Sequence, residues 1–154
     1  MGESHFNVVL IEPEIPNNTG NIGRTCVGTN CVLHLVGPLG FEISDKRLKR
    51  AGLDYWPNLK WHTYDNVQQW QAVVPNFSRV FYFSTKAENS LYSQRFQRGD
   101  WLVFGKETKG LDAKFLQENK KQALTIPQYG PIRSLNLANA VAIAVYEGLR
   151  QISN

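Results

Sequence analysis

The sequence predicts an α/β protein in which helices flank a parallel sheet. Short apolar segments rich in β-branched and aromatic residues alternate along the chain with segments of helical periodicity. The short segments are apolar throughout instead of alternating with polar residues, which is typical of parallel strands covered on both faces. No linker divides the chain, so a single domain spanning residues 1–154 is expected.

Six strands are predicted from the apolar segments, and they are Phe6–Ile11, Val32–Val36, Lys60–Tyr64, Arg79–Ser84, Trp101–Gly105 and Ala123–Ile126. Lys60–Tyr64 has the weakest pattern of the six. The helices predicted between them are Thr19–Asn30, Asp45–Ala51, Val67–Val73 and Asp112–Lys121. Asn18 or Thr19 is the expected N-cap of the first helix, because each has a side-chain oxygen that can accept from a free first-turn N–H.

A final helix follows Ser134, which stands where an N-cap is expected. Asn139 is the only polar residue in the run Leu137–Tyr146, so more than one face of this helix has to be buried. We expect a second copy of the chain to cover part of it in a homodimer, and burial within one subunit is the alternative. The apolar stripe recurs with helical spacing at Leu137, Val141, Val145, Leu149 and Ile152.

The composition is that of an ordinary globular chain with a modest positive charge. A net charge of +4 suits a polyanionic partner, and a solvated surface of this charge is equally usual. Cys26 and Cys31 have no second pair of metal ligands beside them, so reduced, buried thiols and no metal site are expected. Neither a secretory signal nor an apolar run of roughly 20 residues is found. We therefore expect a cytoplasmic protein without membrane contact.

Chemistry is expected beyond the carboxyl ends of the strands, where ligands of parallel sheets bind. Arg24 lies one turn into the first helix and is well placed for a phosphate. A surface ion pair of Arg24 with Glu12 or Glu14 is the alternative interpretation. A second candidate is the polar cluster that opens the last helix, formed by Arg133, Ser134, Asn136 and Asn139.

Gly105 and Gly110 bound a loop that nearly matches a phosphate-binding P-loop. The two glycines have the right interval, but Leu111 and Asp112 stand where Lys and Ser or Thr are required, so ATP and GTP are not expected ligands. The backbone of such a turn can still approach a flat ring. A ligand site is therefore expected between this loop and the segment Pro127–Asn136.

A basic segment, Asp45–Trp56, is the candidate for contact with nucleic acid. Cations next to Tyr55 and Trp56 could follow a phosphate backbone and stack on bases. A solvated helix face is the alternative. The cations are Lys46, Arg47, Lys49 and Arg50.

Three motifs, taken together and in this order, resemble those of the SPOUT methyltransferases, whose C-terminal part forms a trefoil knot. They are Asn18-Thr19-Gly20-Asn21-x-x-Arg24, Leu102-Val103-Phe104-Gly105-x-Glu107-x-x-Gly110-Leu111, and Ile126-Pro127 with Arg133-Ser134-Leu135-Asn136-Leu137. The likeness covers nearly the whole chain. The short length and the segment Asp45–Tyr55 resemble the TrmL or YibK type, which 2′-O-methylates cytidine or modified uridine at wobble position 34 of certain leucine tRNAs.

The resemblance implies S-adenosylmethionine as cofactor, S-adenosylhomocysteine as product, no metal, tRNA as partner, and a homodimer formed through the C-terminal helix. Matched by motif, the cofactor-binding residues are Phe83, Gly105, Glu107, Gly110, Ile126 and Ser134. The implied catalytic residues are Arg24, Asn18, Ser134 and Asn136, and the expected RNA-binding residues are Lys46, Arg47, Lys49, Arg50 and Arg133.

Arg24 is expected to hold a phosphate or the developing oxyanion, since a guanidinium does not readily give up a proton and is a poor general base. Asn17 and Lys106 depart from the family pattern, which often has proline at both positions. Both lie in loops, where they would alter rigidity or RNA contact more than the reaction.

Other functions remain open. A methyltransferase of the same class acting on ribosomal RNA or another tRNA position would have the same motifs, because substrate choice depends on surface shape. A non-catalytic RNA-binding module would keep the basic segment without a cofactor. A Rossmann oxidoreductase is disfavoured because the G-x-G-x-x-G fingerprint is absent.

Overall fold

The structure is a computed structural model that describes residues 3–44, 46, 50 and 54–153. Within this part of the chain, one seven-stranded sheet has every neighbouring pair of strands parallel. The strands are β1 (Asn7–Ile11), β2 (Val32–Val36), β3 (Trp61–Tyr64), β4 (Val80–Phe83), β5 (Asn89–Ser90), β6 (Trp101–Phe104) and β7 (Ala123–Thr125). The predicted parallel sheet is confirmed, and the six predicted strands are joined by the two-residue β5.

Helices cover both faces of this sheet, as the uniformly apolar strands predict. The helices that the described residues form are α1 (Pro16–Thr29), α2 (Val67–Gln71), α3 (Ala113–Glu118) and α4 (Leu137–Ile152). Val8 and Leu10 of β1 belong to an apolar cluster with residues of α1 and α4. Val9 and Ile11, which alternate with them, belong to a second cluster with residues of α2 and α3. The α/β architecture predicted from the sequence is thus confirmed.

The strand order across the sheet is β3-β2-β1-β6-β4-β7-β5. The chain runs outward from β1 through β2 to β3 and later fills the other side of β1 with the remaining strands. Such a reversal of direction opens a crevice at the carboxyl ends of the strands that flank it. Residues after β1, β6, β4 and β7 therefore emerge side by side at one edge of the sheet.

The predicted caps of both helices near this edge are wrong. α1 begins at Pro16, whose missing N–H and fixed φ suit a first turn, so Asn18 and Thr19 lie inside the helix. At the cap position stands Ile15, which has no capping side chain. At α4 the cap is Asn136, whose Oδ1 accepts from the Asn139 N–H at 3.2 Å, and Ser134 lies in the preceding loop.

Much of α4 is buried within its own subunit. Val141, Ala144 and Val145 have no exposed surface. A Cβ added at Gly148 would lie 2.6 Å from the Phe6 ring, so this small residue admits an aromatic side chain. The Tyr146 side chain remains 57% exposed on the opposite face. Intramolecular packing thus accounts for one apolar face of the helix, and the trefoil knot and the dimer stay predictions.

Most of the predicted helix Asp45–Ala51 lies outside the described residues. Among its predicted RNA contacts, Arg47 and Lys49 are in that part, whereas Lys46 and Arg50 are exposed. The accompanying prediction that Tyr55 and Trp56 stack on bases is wrong for Tyr55, which is only 7% exposed. Trp56 is half-buried and its ring lies 5.2 Å from that of Trp61.

Candidate functional site

A cleft of about 740 Å³ lies where the carboxyl ends of β1, β6, β4 and β7 meet. Four chain segments that are far apart in sequence line it. All six predicted cofactor-binding residues are in its lining, namely Phe83, Gly105, Glu107, Gly110, Ile126 and Ser134. Asn18, Arg133 and Asn136 line the same cleft. Residues of all three sequence motifs thus line one cleft. The contacts of these residues with a cofactor stay predictions.

The loop after β6 is a tight turn that only glycine can close. The Gly110 N–H donates to the Lys106 carbonyl at 2.8 Å, and Gly110 has a φ of +66°, a conformation that other residues rarely adopt. A Cβ at Gly105 would lie 2.1 Å from the Gly110 carbonyl carbon. The two glycines therefore pack backbone against backbone, which leaves main-chain groups at the wall of the cleft.

Glu107 joins this turn to the amino end of α1. Its Oε1 accepts from the Glu14 N–H at 2.8 Å, and its Oε2 accepts from the Ile15 N–H at 2.9 Å. The carboxylate thus binds N–H groups of the two residues before α1 and opposes the positive end of the helix dipole. Glu107 therefore fixes the two residues that lead into α1, as the glutamate of a capping box binds the N-cap N–H, and its proposed contact with a cofactor stays a prediction.

A second carboxylate makes the reverse connection. Glu14 Oε1 accepts from the Thr108 N–H at 3.0 Å and from the Thr108 hydroxyl at 2.8 Å. These two hydrogen bonds lower the pKa of Glu14 from its ordinary value. Lys106 Nζ also lies 3.3 Å from Glu12 Oε1. We refer to the reciprocal pairing of Glu14, Glu107 and Thr108 as the clasp, and it ties the loop after β6 to the loop after β1.

Two amides, of the buried Asn18 and the exposed Asn136, extend the clasp across the cleft to α4. Asn18 Nδ2 donates to Glu107 Oε2 at 3.3 Å, and Asn136 Nδ2 donates to Asn18 Oδ1 at 3.1 Å. Asn136 also caps α4. Of the predicted catalytic residues, Asn18 and Asn136 thus join Glu107 in a continuous hydrogen-bonded row that connects the β6 loop, α1 and α4. Ser134 lines the cleft outside this row.

Arg24 lies apart from this row. It is six residues after Asn18 on α1, or about 9 Å along the helix axis, and it is not in the lining of the cleft. Its Nη1 lies 3.3 Å from Asp54 Oδ1, and the guanidinium carbon lies 5.6 Å from the centre of the Tyr55 ring. The surface pairing anticipated from the sequence is present, but its partner is Asp54 and neither Glu12 nor Glu14.

Two lysines that line the cleft were not singled out from the sequence. Lys86 follows β4 in a loop that has no distinctive pattern, and Lys109 lies in the β6 loop; both line the cleft. Thr108 and Glu14 were missed as well, since each is an ordinary polar residue whose partner is 94 positions away. The sequence shows only that these residues follow predicted parallel strands. That position identifies the loops near a ligand site but not which residues within a loop take part.

His34 of β2 has a strongly shifted pKa and hydrogen-bonds to side chains of β1 and β3, outside the lining of the cleft. His34 is 4% exposed, with Nδ1 2.9 Å from the Tyr64 hydroxyl and Nε2 3.0 Å from Asn7 Oδ1. Burial, with a smaller effect of His62, lowers the pKa of His34 to about 3. The imidazole is therefore neutral at physiological pH, and Nε2 carries the proton that it donates to Asn7. The sequence analysis gave this histidine no role.

The two cysteines are free and buried, and burial raises the pKa of both thiols, as expected for inert side chains. Among the described residues no cluster of three or more His, Cys, Asp or Glu side chains could hold a metal ion. In the same part of the chain no helix combines the length and apolar character needed to cross a membrane.

Comparisons with known proteins identify the family. Residues 5–146 match the SpoU rRNA Methylase family. The tRNA (cytidine(34)-2′-O)-methyltransferase of Polaromonas sp. is 48% identical over 155 residues, which cover 95% of this chain and 90% of that protein. A solved structure concerned with the 2-OH methylation of C/U34 on tRNA superposes with a TM-score of 0.93, at 46% identity and 99% coverage of both chains.

A more distant neighbour shares the fold. The SpoU methyltransferase AviRb from Streptomyces viridochromogenes, solved in complex with AdoMet, has a TM-score of 0.85 at 22% identity, covering all of this chain and 63% of its own. The SPOUT resemblance read from the three motifs is confirmed by the family match and by these structures. The chain belongs to the SpoU methylase family and has its methyltransferase fold.

Proposed function

We propose that the protein transfers a methyl group from S-adenosylmethionine to the ribose 2′-oxygen of nucleotide 34, a cytidine or modified uridine, in leucine tRNAs. The observation that carries the proposal is the convergence of three separated motifs on one cleft. The similarity to a relative named tRNA (cytidine(34)-2′-O)-methyltransferase supports the position and the substrate class. The reaction would take place in the cytoplasm, where tRNA is modified.

The cleft suits the proposed cofactor in size and chemistry. Its volume of about 740 Å³ falls within the roughly 300–1,000 Å³ of small-molecule sites. Phe83, Phe104 and Leu135 supply apolar surface, and the Gly105–Gly110 turn presents main-chain groups that a side chain would otherwise cover. When bound, S-adenosylmethionine supplies a methyl group on a positively charged sulfur, which makes the methyl electrophilic.

The residues of the chain then have the tasks of binding and alignment. The clasp and the Asn18–Asn136 hydrogen bond hold the β6 loop, α1 and α4 in one arrangement. Holding the reacting groups in line can lower the barrier of a displacement by several kcal/mol. The upper limit, from the best-oriented intramolecular reactions, is about 7–11 kcal/mol. Ser134 would add a hydroxyl at the wall of the cleft.

Arg24 is proposed to bind a phosphate or the developing oxyanion of the RNA. Its present partner holds it weakly, because the Arg24 and Asp54 side chains are 62% and 77% exposed and exposed pairs contribute about 0–1 kcal/mol. A phosphate can replace Asp54 at little cost and bind the guanidinium in a bidentate manner. The proton of the 2′-hydroxyl would pass to a neighbouring phosphate or to water.

We also propose a homodimer formed through α4. The 57% exposed Tyr146 and the half-buried Ile143 leave an apolar strip on the face of α4 that turns away from Phe6. Light scattering at micromolar concentration is expected to give the mass of two chains. A single-chain mass would contradict this part of the proposal and leave the chemistry of the cleft to be tested separately.

Titration calorimetry with S-adenosylmethionine, combined with methyl transfer to tRNA, tests the function. Arg24→Ala should leave cofactor affinity near that of the wild type and lower turnover by about 100-fold or more, as the loss of an oxyanion-binding group does. Arg98→Ala is the matched control, because it removes an equal charge from the turn before β6, at the opposite edge of the sheet. Undiminished turnover in Arg24→Ala would rule out its proposed role.

The same measurements separate the rival functions. A protein that binds RNA but gives no heat with S-adenosylmethionine would be a non-catalytic RNA-binding module. The family description refers to ribosomal RNA, so ribosomal RNA belongs beside tRNA in the methyl-transfer assay. Preferential methylation of ribosomal RNA would keep the chemistry and replace the proposed substrate.

A further inference from the structure

The loop between β7 and α4 presents an aromatic side chain entirely to solvent. Tyr129 is 96% exposed, whereas Tyr92 and Tyr146 are 58% and 57% exposed. Gly130 and Pro131 follow it, and the Ile132 N–H donates to the Gly130 carbonyl at 2.9 Å, which closes a tight turn beside the tyrosine. The ring therefore contributes almost nothing to the packing of its own subunit.

The position of this loop connects Tyr129 to the cleft. Gln128, immediately before it, and Arg133, four residues after it, both line the cleft. Ile132 in the same turn is 55% exposed. An apolar surface formed by Tyr129 and Ile132 therefore adjoins the mouth of the proposed methyl-transfer site.

The charge around this mouth is positive. Lys86, Lys106, Lys109 and Arg133 come from three different loops and all line the cleft. Lys106 is paired with Glu12, whereas Lys86, Lys109 and Arg133 form no ion pair in the part of the chain that the structure describes. Among the described residues that line the cleft, Glu107 has the one carboxylate, and it accepts from the N–H groups of Glu14 and Ile15. A polyanion is the partner that such a rim favours.

We propose that Tyr129 stacks on a base of the single-stranded RNA loop that enters the cleft, next to the methylated nucleotide, while Lys86, Lys109 and Arg133 bind the flanking phosphates. This inference rests on the proposed function and adds the residues that hold the substrate. An aromatic face beside several cations matches an unpaired nucleotide, which offers a flat ring and a phosphate together. Tyr55, one of the two aromatic residues named from the sequence, is buried and cannot serve this purpose.

A second copy of the chain fits this surface less well. A copy docked on the rim would bring further positive charge toward Lys109 and Arg133, which is unfavourable. The apolar strip of α4 around Tyr146 is the better candidate for self-association. Tyr129 and Tyr146 are thus assigned to different partners, and the assignment can be tested with one set of variants.

The experiment measures binding of a fluorescent hairpin with the sequence of a leucine tRNA anticodon stem-loop, in the presence of S-adenosylhomocysteine. Tyr129→Ala should weaken RNA binding by about fivefold to 150-fold, the range measured for loss of one base–aromatic stack. Tyr129→Phe keeps the ring and should bind like the wild type. Tyr92→Ala is the matched control. Tyr92 is exposed, but none of residues 88–97 lines the cleft, whereas Tyr129 lies between the cleft-lining Gln128 and Arg133.

The cations have a separate signature. Lys109→Gln should weaken binding and reduce the slope of log affinity against log salt by about one, as expected for one lost phosphate contact. Tyr129→Ala should leave that slope unchanged because stacking releases no counterions. The affinity for S-adenosylhomocysteine should stay the same in Tyr129→Ala, because Tyr129 does not line the cleft.

Four results would overturn the inference. If Tyr129→Ala bound RNA with wild-type affinity, Tyr129 would not stack on a base. If Tyr129→Phe lost as much affinity as Tyr129→Ala, the contact would be made by the hydroxyl and not by the ring. A change of oligomeric state in Tyr129→Ala would assign the loop to the subunit interface. Failure of the wild type itself to bind the hairpin, despite binding S-adenosylhomocysteine, would reject the proposed substrate and Tyr129 with it. That last result is distinct from the first three, in which the wild type binds RNA.

Discussion

Glu107 accepts a hydrogen bond from the backbone N–H of Glu14 at 2.8 Å, across 93 positions of sequence. The Glu14 carboxylate in turn binds Thr108. Two loops that follow neighbouring parallel strands are thereby held to each other from both sides. One of these loops walls the cleft, and the other leads into the helix that bears Asn18 and Arg24.

The first prediction concerns Glu107. Glu107→Gln keeps the size of the side chain but replaces one acceptor oxygen by an NH₂ group that faces an N–H donor. The free energy of unfolding should fall by about 1–2 kcal/mol, and turnover should fall with it. Urea denaturation measures the stability. Glu118→Gln, at an exposed position of α3, should match the wild type. Equal stability of both variants would contradict the role of Glu107 in holding the two loops together.

Asn136 allows capping and positioning to be separated. Asn136→Ala removes the cap of α4 and should cost about 0.5–2 kcal/mol of unfolding free energy. Asn136→Ser keeps an oxygen for the cap but is too short to reach Asn18 as the amide does, so stability should be largely retained while turnover falls. Thermal unfolding and methyl transfer are the two measurements. A stable Asn136→Ser variant with full turnover would show that the Asn18–Asn136 bond does not position the site.

Position 105 requires glycine because a side chain there would collide with the backbone of Gly110, and not because of its backbone torsion angles. A Cβ there would lie 2.1 Å from a backbone carbon of Gly110, so Gly105→Ala should displace the β6 loop and abolish cofactor binding in calorimetry. Gly28→Ala is the matched control, because nothing lies within 4 Å of its added Cβ on α1. That variant should be stabilised by up to about 1 kcal/mol. Unchanged cofactor affinity in Gly105→Ala would remove this turn from the proposed site.

The sequence predicted the fold and the residues that line the cleft better than it predicted the hydrogen bonds between those residues. Apolar strands such as β1 and β6 and the glycines at 105 and 110 carry local signals that do not depend on the rest of the chain. The choice of Asn136 over Ser134 as the cap has no such signal, because both side chains can cap a helix. In the structure Asn136 is the cap, and it also donates a hydrogen bond to Asn18, which is 118 positions away in the sequence.

The start of α1 could have been predicted more accurately from the sequence. Pro16 marks the first turn of α1, and proline at that position is a recognised start signal. By contrast, the pairing of Glu14 with Thr108 depends on which strands become neighbours, and four other strands of the sheet lie between β1 and β6 in chain order. Arg24 illustrates the same limit, because its partner Asp54 lies 30 positions away.

His34 predicts a pH dependence of stability. In the unfolded chain it takes up a proton below its ordinary pKa of 6.5, whereas in the folded protein it does so only near 3. Between these values the unfolded state binds more protons, so the unfolding free energy should fall as pH falls, by at most about 1.4 kcal/mol per pH unit. Urea denaturation across this range should show a shallower dependence in His34→Gln. Identical slopes in the two proteins would contradict burial of a neutral imidazole.

The most direct test of the account is methyl transfer by the purified protein from labelled S-adenosylmethionine to tRNA isolated from a strain that lacks this enzyme, followed by mapping of the modified nucleotide. Label on the ribose 2′-oxygen of nucleotide 34 in leucine tRNA, lost in Arg24→Ala and retained in Arg98→Ala, is the predicted result. A wild-type protein that binds the donor but leaves every tRNA ribose unmethylated would contradict it.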